Sequence, residues 1–520
     1  MKAIRRDPFT TATANRNYDY VAIDVSVNGS LRRLAIAILL GGLLLSHGCD
    51  SGASKPVAYL TLYAAAGLRS SVETAVRAYE SESGRTIDVQ YDGSGTLLAR
   101  IQLLKKGDLF LAADQSTVDD ARAKGLIDEA LPLVTQRPVI AVKRGNPKRI
   151  LRLEDLSRKD VKLSIANPDA AAIGKATRAA LTTAGIWKQV SEGARVSKPT
   201  VADILNDLLL GTVDAAVVWE SLLKSHPQID AVHDDRLDPQ SQVASVAVLR
   251  ACAQPAEALR FARYLSAPER GLEHFRRDGH TVLPGDPWDT TPQLVLYAGA
   301  MLRPAIEPLV EAFERREGVH VDRVYNGCGI LNAQIKTGAI PEAYFACDTA
   351  FLVDVADRFH APRIISANDM VLLVKKGNPK ALRTLADLAR NGVELGIGHP
   401  DHSALGVLTR KTLEEAKLLE AVQLNVRVES PTGDLLVNQM RVGSLDAALV
   451  YRSNAQIALG QAANIELVEL GSSPPRTRQP VAAAKNAKHA LLAQRLVERL
   501  SSPDARKAFE QSGFRWERQP

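Results

Sequence analysis

Between residues 57 and 220 the chain alternates two hydrophobic rhythms. Residues 57–64 form a continuous apolar run rich in Tyr, Leu and Val, the pattern of a buried strand. Behind it Leu68, Val72, Ala75, Val76 and Tyr79 recur at three- and four-residue spacing, one face of a helix, until Ser83-Gly84 supplies a stop. Residues 87–91 predict a second strand, Gly93-Ser94-Gly95 a turn, and residues 96–105 a helix. Further short apolar runs at 109–113, 139–142, 163–166 and 215–219 are each separated by a helix-like segment. The alternation predicts an α/β fold whose sheets are mostly parallel and flanked by helices.

The same plan then returns. Tyr91-Asp92-Gly93-Ser94-Gly95 recurs as Tyr325-Asn326-Gly327-Cys328-Gly329, and Asp114 as Asp348, both at a spacing of 234. Lys143-Arg144-Gly145-Asn146-Pro147 recurs as Lys375-Lys376-Gly377-Asn378-Pro379, and Trp219 as Tyr451, both at 232. Four anchors in one order identify a tandem duplication of a unit long enough to close its own core. The expected division is a leader over 1–48, a tether over 49–56, one unit over 57–284, a linker over 285–292 rich in Pro and Thr, and a second unit over 293–516.

Composition narrows the function classes. With 46% hydrophobic and 24% charged residues among 520, the body is meant to fold. Half of the net charge of +6 sits in residues 1–48, which carry six basic and three acidic side chains, and no aromatic-interleaved basic run appears. Nucleic acid is therefore not an expected partner. The four cysteines are too few and too unevenly placed for a disulfide scaffold or a zinc site, and whether Cys328 and Cys347 pair stays open. Cys49 differs from the rest: it follows Leu31-Arg32-Arg33, an apolar stretch over 34–45, and Ser46-His47-Gly48. This reads as a charged region, an h-region and a cleavage point, the apolar stretch being short for a membrane span. It resembles the lipobox of bacterial lipoproteins, in which the cysteine is lipidated, although His47 stands where a small residue is usual. An ordinary cleaved signal or an uncleaved anchor would equally export the chain.

Leu62-Tyr63-Ala64-Ala65-Ala66-Gly67-Leu68, then Gly93-Ser94-Gly95-Thr96-Leu97, then Gly107-Asp108-Leu109-Phe110-Leu111-Ala112-Ala113-Asp114-Gln115 resemble the molybdate-binding protein family of bacterial ABC importers. Asn167-Pro168-Asp169 and residues 214–220 continue the match in family order, twice over. The resemblance implies a tandem duplication of a bilobal type II periplasmic-binding-protein fold, each lobe an α/β sheet, with a ligand in the cleft between lobes. In the first unit, about 57–139 and 236–284 would form one lobe and 140–235 the other. The implied role is exported, periplasmic capture of an oxyanion such as molybdate or tungstate, delivered to a membrane permease from a lipid-anchored chain. Rivals are a binding protein for another small anion, and a non-transport sensor or interaction module. Nothing in the sequence calls for catalysis or a cofactor.

The physical basis for an anion is the helix N-terminus, where unsatisfied N–H groups and partial positive charge converge. The turns at Gly67 and at Ser94, Gly95 and Thr96 precede helices as that mechanism requires. The family's two hydroxyl positions fall on Gly67 and Gly95, and on Met301 and Gly329 in the second unit, none of which has a hydroxyl; Ser94 and Cys328 stand one residue earlier. Its backbone-donor positions fall on Ile173 and Val201, and on Leu405 and Gly433. Its ligand-facing tyrosine falls on Trp219 and Tyr451, for which core packing is the plainer alternative. Arg69 and Arg303, at helix starts disfavoured for a cation, are either anion clamps or surface residues. Asp114 and Asp348 fit helix caps better than cleft acids. His399-Pro400-Asp401-His402 suggests a metal, but its counterpart Asn167-Pro168-Asp169-Ala170 has no histidine and no third ligand is near.

Overall fold

The computed structural model describes residues 59–517 apart from 195, 462 and 463. The leader and the whole tether, Cys49 included, lie outside the described residues. No helix among the described residues is long and apolar enough to cross a membrane.

The first copy opens with strand β1 (Leu60–Ala65), buried along almost its whole length. Helix Arg69–Ser83 lays Val72, Ala75, Val76 and Tyr79 against the sheet and stops where Gly84 turns left-handed, φ 68°, its N–H reaching the Glu80 carbonyl. Strands β2 (Ile87–Asp92), β3 (Leu109–Ala112) and β4 (Ile127–Gln136) follow, and β5 (Pro138–Lys143) enters a second sheet with β6 (Leu163–Ala166), β7 (Val196–Lys198), β8 (Ala215–Trp219) and β9 (Ile229–Val232). The chain returns through β10 (Gln242–Leu249) and closes with β11 (Thr281–Val282). The two sheets run β11-β4-β10-β3-β1-β2 and β7-β6-β8-β5-β9. The expectation of mostly parallel sheets holds for pairs joined through a helix, β1 with β2 and β3, and β6 with β7 and β8. It gives way to antiparallel pairing wherever the strands that pass between lobes enter, as β10 does beside both β3 and β4. The sheets are therefore mixed.

The second copy repeats this strand order from strand Gln293–Gly299, with one difference. Where the first copy breaks at Arg137 between β4 and β5, strand Arg363–Lys375 continues unbroken, so both lobes share one ten-stranded sheet.

The copies are braced against each other. Glu317, at the end of helix Arg303–Glu317, accepts from Arg263 of the first copy at 3.2 Å and from Arg495 at 2.7 and 3.0 Å; Glu317 and Arg263 are buried and Arg495 is partly buried. Burial alone would raise the Glu317 carboxyl; Arg495 and Arg263 hold it below its ordinary range. Arg316 pairs with Glu129 of the first copy at 2.7 Å. The connecting segment takes part as well: the Asp286 carboxylate accepts from Leu491 and Leu492 N–H at 2.9 Å, at the start of helix Ala490–Leu500.

Candidate functional site

In each copy a small cavity lies between the lobes. The first is lined by Gly67, Asp92, Gly93, Ser94, Ile173, Thr200, Val201 and Trp219, together with alanines 65, 66, 113, 171 and 172. The second is lined by Met301, Asn326, Gly327, Cys347, Leu405, Thr432, Gly433 and Tyr451, among others. Each is closed down to about 20 Å³, the scale of one or two water-sized spheres. Neither lining contains a lysine or arginine.

Donors reach the first cavity from four directions. Ile173 and Val201 lie at the starts of helices Ala172–Thr183 and Val201–Leu209, whose leading N–H groups have no partner within their own helix. The second of these starts is set by Thr200, whose hydroxyl accepts from Asp203 N–H. Ser94 opens helix Ser94–Leu104; its hydroxyl oxygen accepts from Ala113 N–H at 3.0 Å, which leaves its proton to donate. Trp219, 1% exposed, ends β8 beside Gly67. In the second copy Leu405 and Gly433 take the same helix starts, and the buried Tyr451 hydroxyl makes no hydrogen bond. Burial raises that phenol well above its ordinary range, with Thr477 opposing the shift and the charge of Asp348 adding to it, so it stays protonated and able to donate.

Positions 67 and 219 are coupled through size. A Cβ on Gly67 would stand 2.9 Å from Val201 Cγ1 and 3.3 Å from Trp219 Cδ1, so the indole occupies the space a side chain at 67 would need. The second copy reverses the exchange: the smaller Tyr451 faces Met301, which is buried and takes a hydrogen bond on its sulfur from Asn368 at 3.7 Å.

Several expected site residues lie elsewhere. Gly95 and Thr96 do not line the cavity. A Cβ on Gly95 would meet the Asp169 carbonyl at 2.2 Å, and its N–H donates to the Ala170 carbonyl at 2.9 Å, across the lobe junction. Gly329 does the same with the Asp401 and His402 carbonyls. Gly93 and Gly327 press likewise on opposing carbonyls, so the Gly-X-Gly turn is first a surface on which the second lobe closes. Cys328 is disulfide-bonded to Cys347 and is absent from the cavity lining, whereas Cys347 is part of it. Arg69 is exposed, stacks 4.1 Å over Tyr91 and pairs with Glu73; Arg303 stands 5.5 Å over Tyr325. Neither arginine lines either of these two cavities, because the ring behind each holds its guanidinium outside. Asp114 and Asp348 cap helices, accepting from Thr117 and Ala350 N–H at 2.9 Å. Lys175, from the opposite lobe, also reaches Asp114 at 3.3 Å. The rings of His399 and His402 stack at 4.1 Å, and no metal-holding group of three ligands occurs among the described residues.

Among the lining residues not anticipated, one pair changes the charge of the site. Asp92 puts a carboxylate at the first cavity, accepting from Gly93 N–H at 2.8 Å and pairing with Arg100 at 3.4 Å. Its counterpart Asn326 makes the same bond to Gly327 N–H without the charge. Both sit one residue before the turn the repeat had singled out, and the difference between them was visible there.

Paired mixed-sheet lobes that close on helix N-termini define a solute-binding protein. Residues 60–280 and again 294–515 match the family of bacterial extracellular solute-binding proteins, and the chain belongs to it as two tandem copies. A binding protein of Haemophilus influenzae is 31% identical over 227 residues, covering 44% of this chain and 92% of its own length. The molybdate-binding protein ModA of Mycobacterium bovis is 28% identical over 236 residues, covering 44% and 87%. Among solved structures, the Azotobacter vinelandii periplasmic molybdate-binding protein aligns at 16% identity and TM-score 0.38, covering 43% of this chain and 99% of its own.

Proposed function

We propose that each copy captures a small oxyanion of the molybdate, tungstate or sulfate type between its lobes, for delivery to an ABC permease. The carrying observation is the cavity itself: tiny, free of basic side chains, and faced by helix starts with one buried aromatic donor. Such a site suits an ion held by backbone N–H groups and does not suit a metabolite, whose pockets run to roughly 300–1,000 Å³. The names of several relatives agree with this class of ligand. Export and lipidation at Cys49 belong to the same reading, as do binding domains at 57–284 and 293–516 joined by 285–292.

The copies need not share a ligand. Asp92 leaves the first cavity less hospitable to an anion than the neutral wall at Asn326, and an indole replaces a phenol. Calorimetric titration of the full chain with molybdate, tungstate, sulfate and phosphate, repeated on Trp219→Phe and Tyr451→Phe, tests this. Loss of a donor to a charged ligand corresponds to about 1.5–3 kcal/mol, roughly 10- to 150-fold in affinity at the altered copy. If no oxyanion binds, the proposed ligand class is wrong.

A further inference from the structure

A larger cavity, about 290 Å³, lies in the first copy only a glycine away from the cleft, with Gly67 in both linings. Its walls come from both lobes: Ser70 and Ser71 in the first turn of helix Arg69–Ser83, the segment 221–225 behind β8, and Arg277, Asp278 and His280 near the end of the copy. The lobes touch here, since Lys224 Nζ donates to the Arg277 carbonyl at 2.6 Å.

The lining is polar in a way that packing does not explain. His280 is 7% exposed, yet its Nδ1 has no hydrogen-bond partner, and neither has the buried Ser221 hydroxyl. Unpaired buried polar atoms cost about 1–3 kcal/mol each, so two in one cavity point to a ligand that pairs them. The first N–H groups of a fifteen-residue helix, Lys224 and Arg277 add positive potential. The one carboxylate, Asp278, is engaged by the Ser71 hydroxyl at 2.7 Å.

The second copy shows what the position looks like without this role. Phe514 replaces His280 and packs edge-on against Phe509 at 5.5 Å, as His280 does against Phe275 at 5.6 Å. Ser70 and Ser71 become Pro304 and Ala305, Lys224 becomes Gln456, and Arg277 becomes Gln511. The fold therefore does not require the cationic and hydroxyl groups found here.

We propose that this cavity is a second, separate binding site of the first copy, taking a small anion through carboxylate or phosphate oxygens that bridge the two lobes. It does not depend on what the cleft binds. The test is calorimetric titration of the full chain with inorganic phosphate and with citrate, in the presence of saturating molybdate. One of the two probes should bind at one equivalent. His280→Phe and Lys224→Gln should each weaken it at least tenfold, with the molybdate isotherm unchanged. Lys224 is exposed, so its substitution stays informative if His280→Phe fails to fold. Absence of binding by both probes, or binding that survives both substitutions, overturns the proposal. A chain that ignores molybdate but responds to phosphate or citrate in this pattern would sink the cleft reading alone.

Discussion

Replacing Gly95 with alanine should separate folding from closure. In the open first copy the change costs nothing: position 95 lies in helix Ser94–Leu104 and its backbone is not left-handed, so alanine favours the helix by up to about 1 kcal/mol. On closure, the new Cβ would stand 2.2 Å from the Asp169 carbonyl oxygen and 3.1 Å from that of Ala170. The lobes must then stop short. The Gly95 N–H bond to Ala170, about 0.5–1.5 kcal/mol net, is lost, and the overpacking adds about 1–3 kcal/mol. A penalty of about 2–4 kcal/mol on the closed form lowers affinity for any solute that needs it by roughly 30- to 1,000-fold. Spin labels at Leu103 and Lys188, exposed on opposite lobes, report the separation, and calorimetry with the best oxyanion reports the affinity. Melting should be unchanged or higher. An unaltered label distance together with unaltered affinity would refute the idea that the Gly-X-Gly turn is a closing surface, and Gly329→Ala offers the same trial in the second copy.

Cys328→Ser with Cys347→Ala reproduces the arrangement of Ser94 and Ala113. Losing a disulfide of sequence separation 19 should cost the second copy about 3 kcal/mol in chemical unfolding, as should adding reductant to the unaltered chain. Burial, opposed by Asp278, lowers the His280 pKa to about 4. The unfolded state then takes up its proton near pH 6.5 and the folded state does not. Stability is whole above 6.5 and falls by about 3 kcal/mol towards pH 4, and His280→Phe should flatten that stretch of a melting-versus-pH curve. Glu317→Gln leaves the buried Arg263 and the partly buried Arg495 without their counter-ion. Scanning calorimetry should show a loss of about 3–5 kcal/mol and a split between the copies; a single unshifted transition would contradict the bracing role.

Strands and amphipathic helices were legible because their periodicity is local: 163–166 and 215–219 fall on β6 and β8 residue for residue. Antiparallel pairing of β10 with β3 and β4 was not, because it depends on partners more than a hundred residues apart. At the site, Ile173, Val201, Leu405 and Gly433 lie at helix starts beside the cavities, a placement legible once the helices are located. The roles imagined for Gly95 and Arg69 differ for a reason no single segment carries: what a glycine faces, or an arginine rests on, is decided by the opposite lobe or a neighbouring strand. Cys328 and Cys347 illustrate the same limit, since their meeting needs a helix start and a strand end brought together.

The unbroken strand Arg363–Lys375 bears on how the two halves can move. Rotation about a joint at Arg137 can concentrate in a residue or two outside the ladder, whereas the second copy must spread any rotation along a thirteen-residue strand paired everywhere but at Ile365, as a beam flexes. Two traps built to one plan would then differ in compliance. The stiffer one would exchange solute through small excursions, while the hinged one opens widely, so a single chain would sample its surroundings on two timescales.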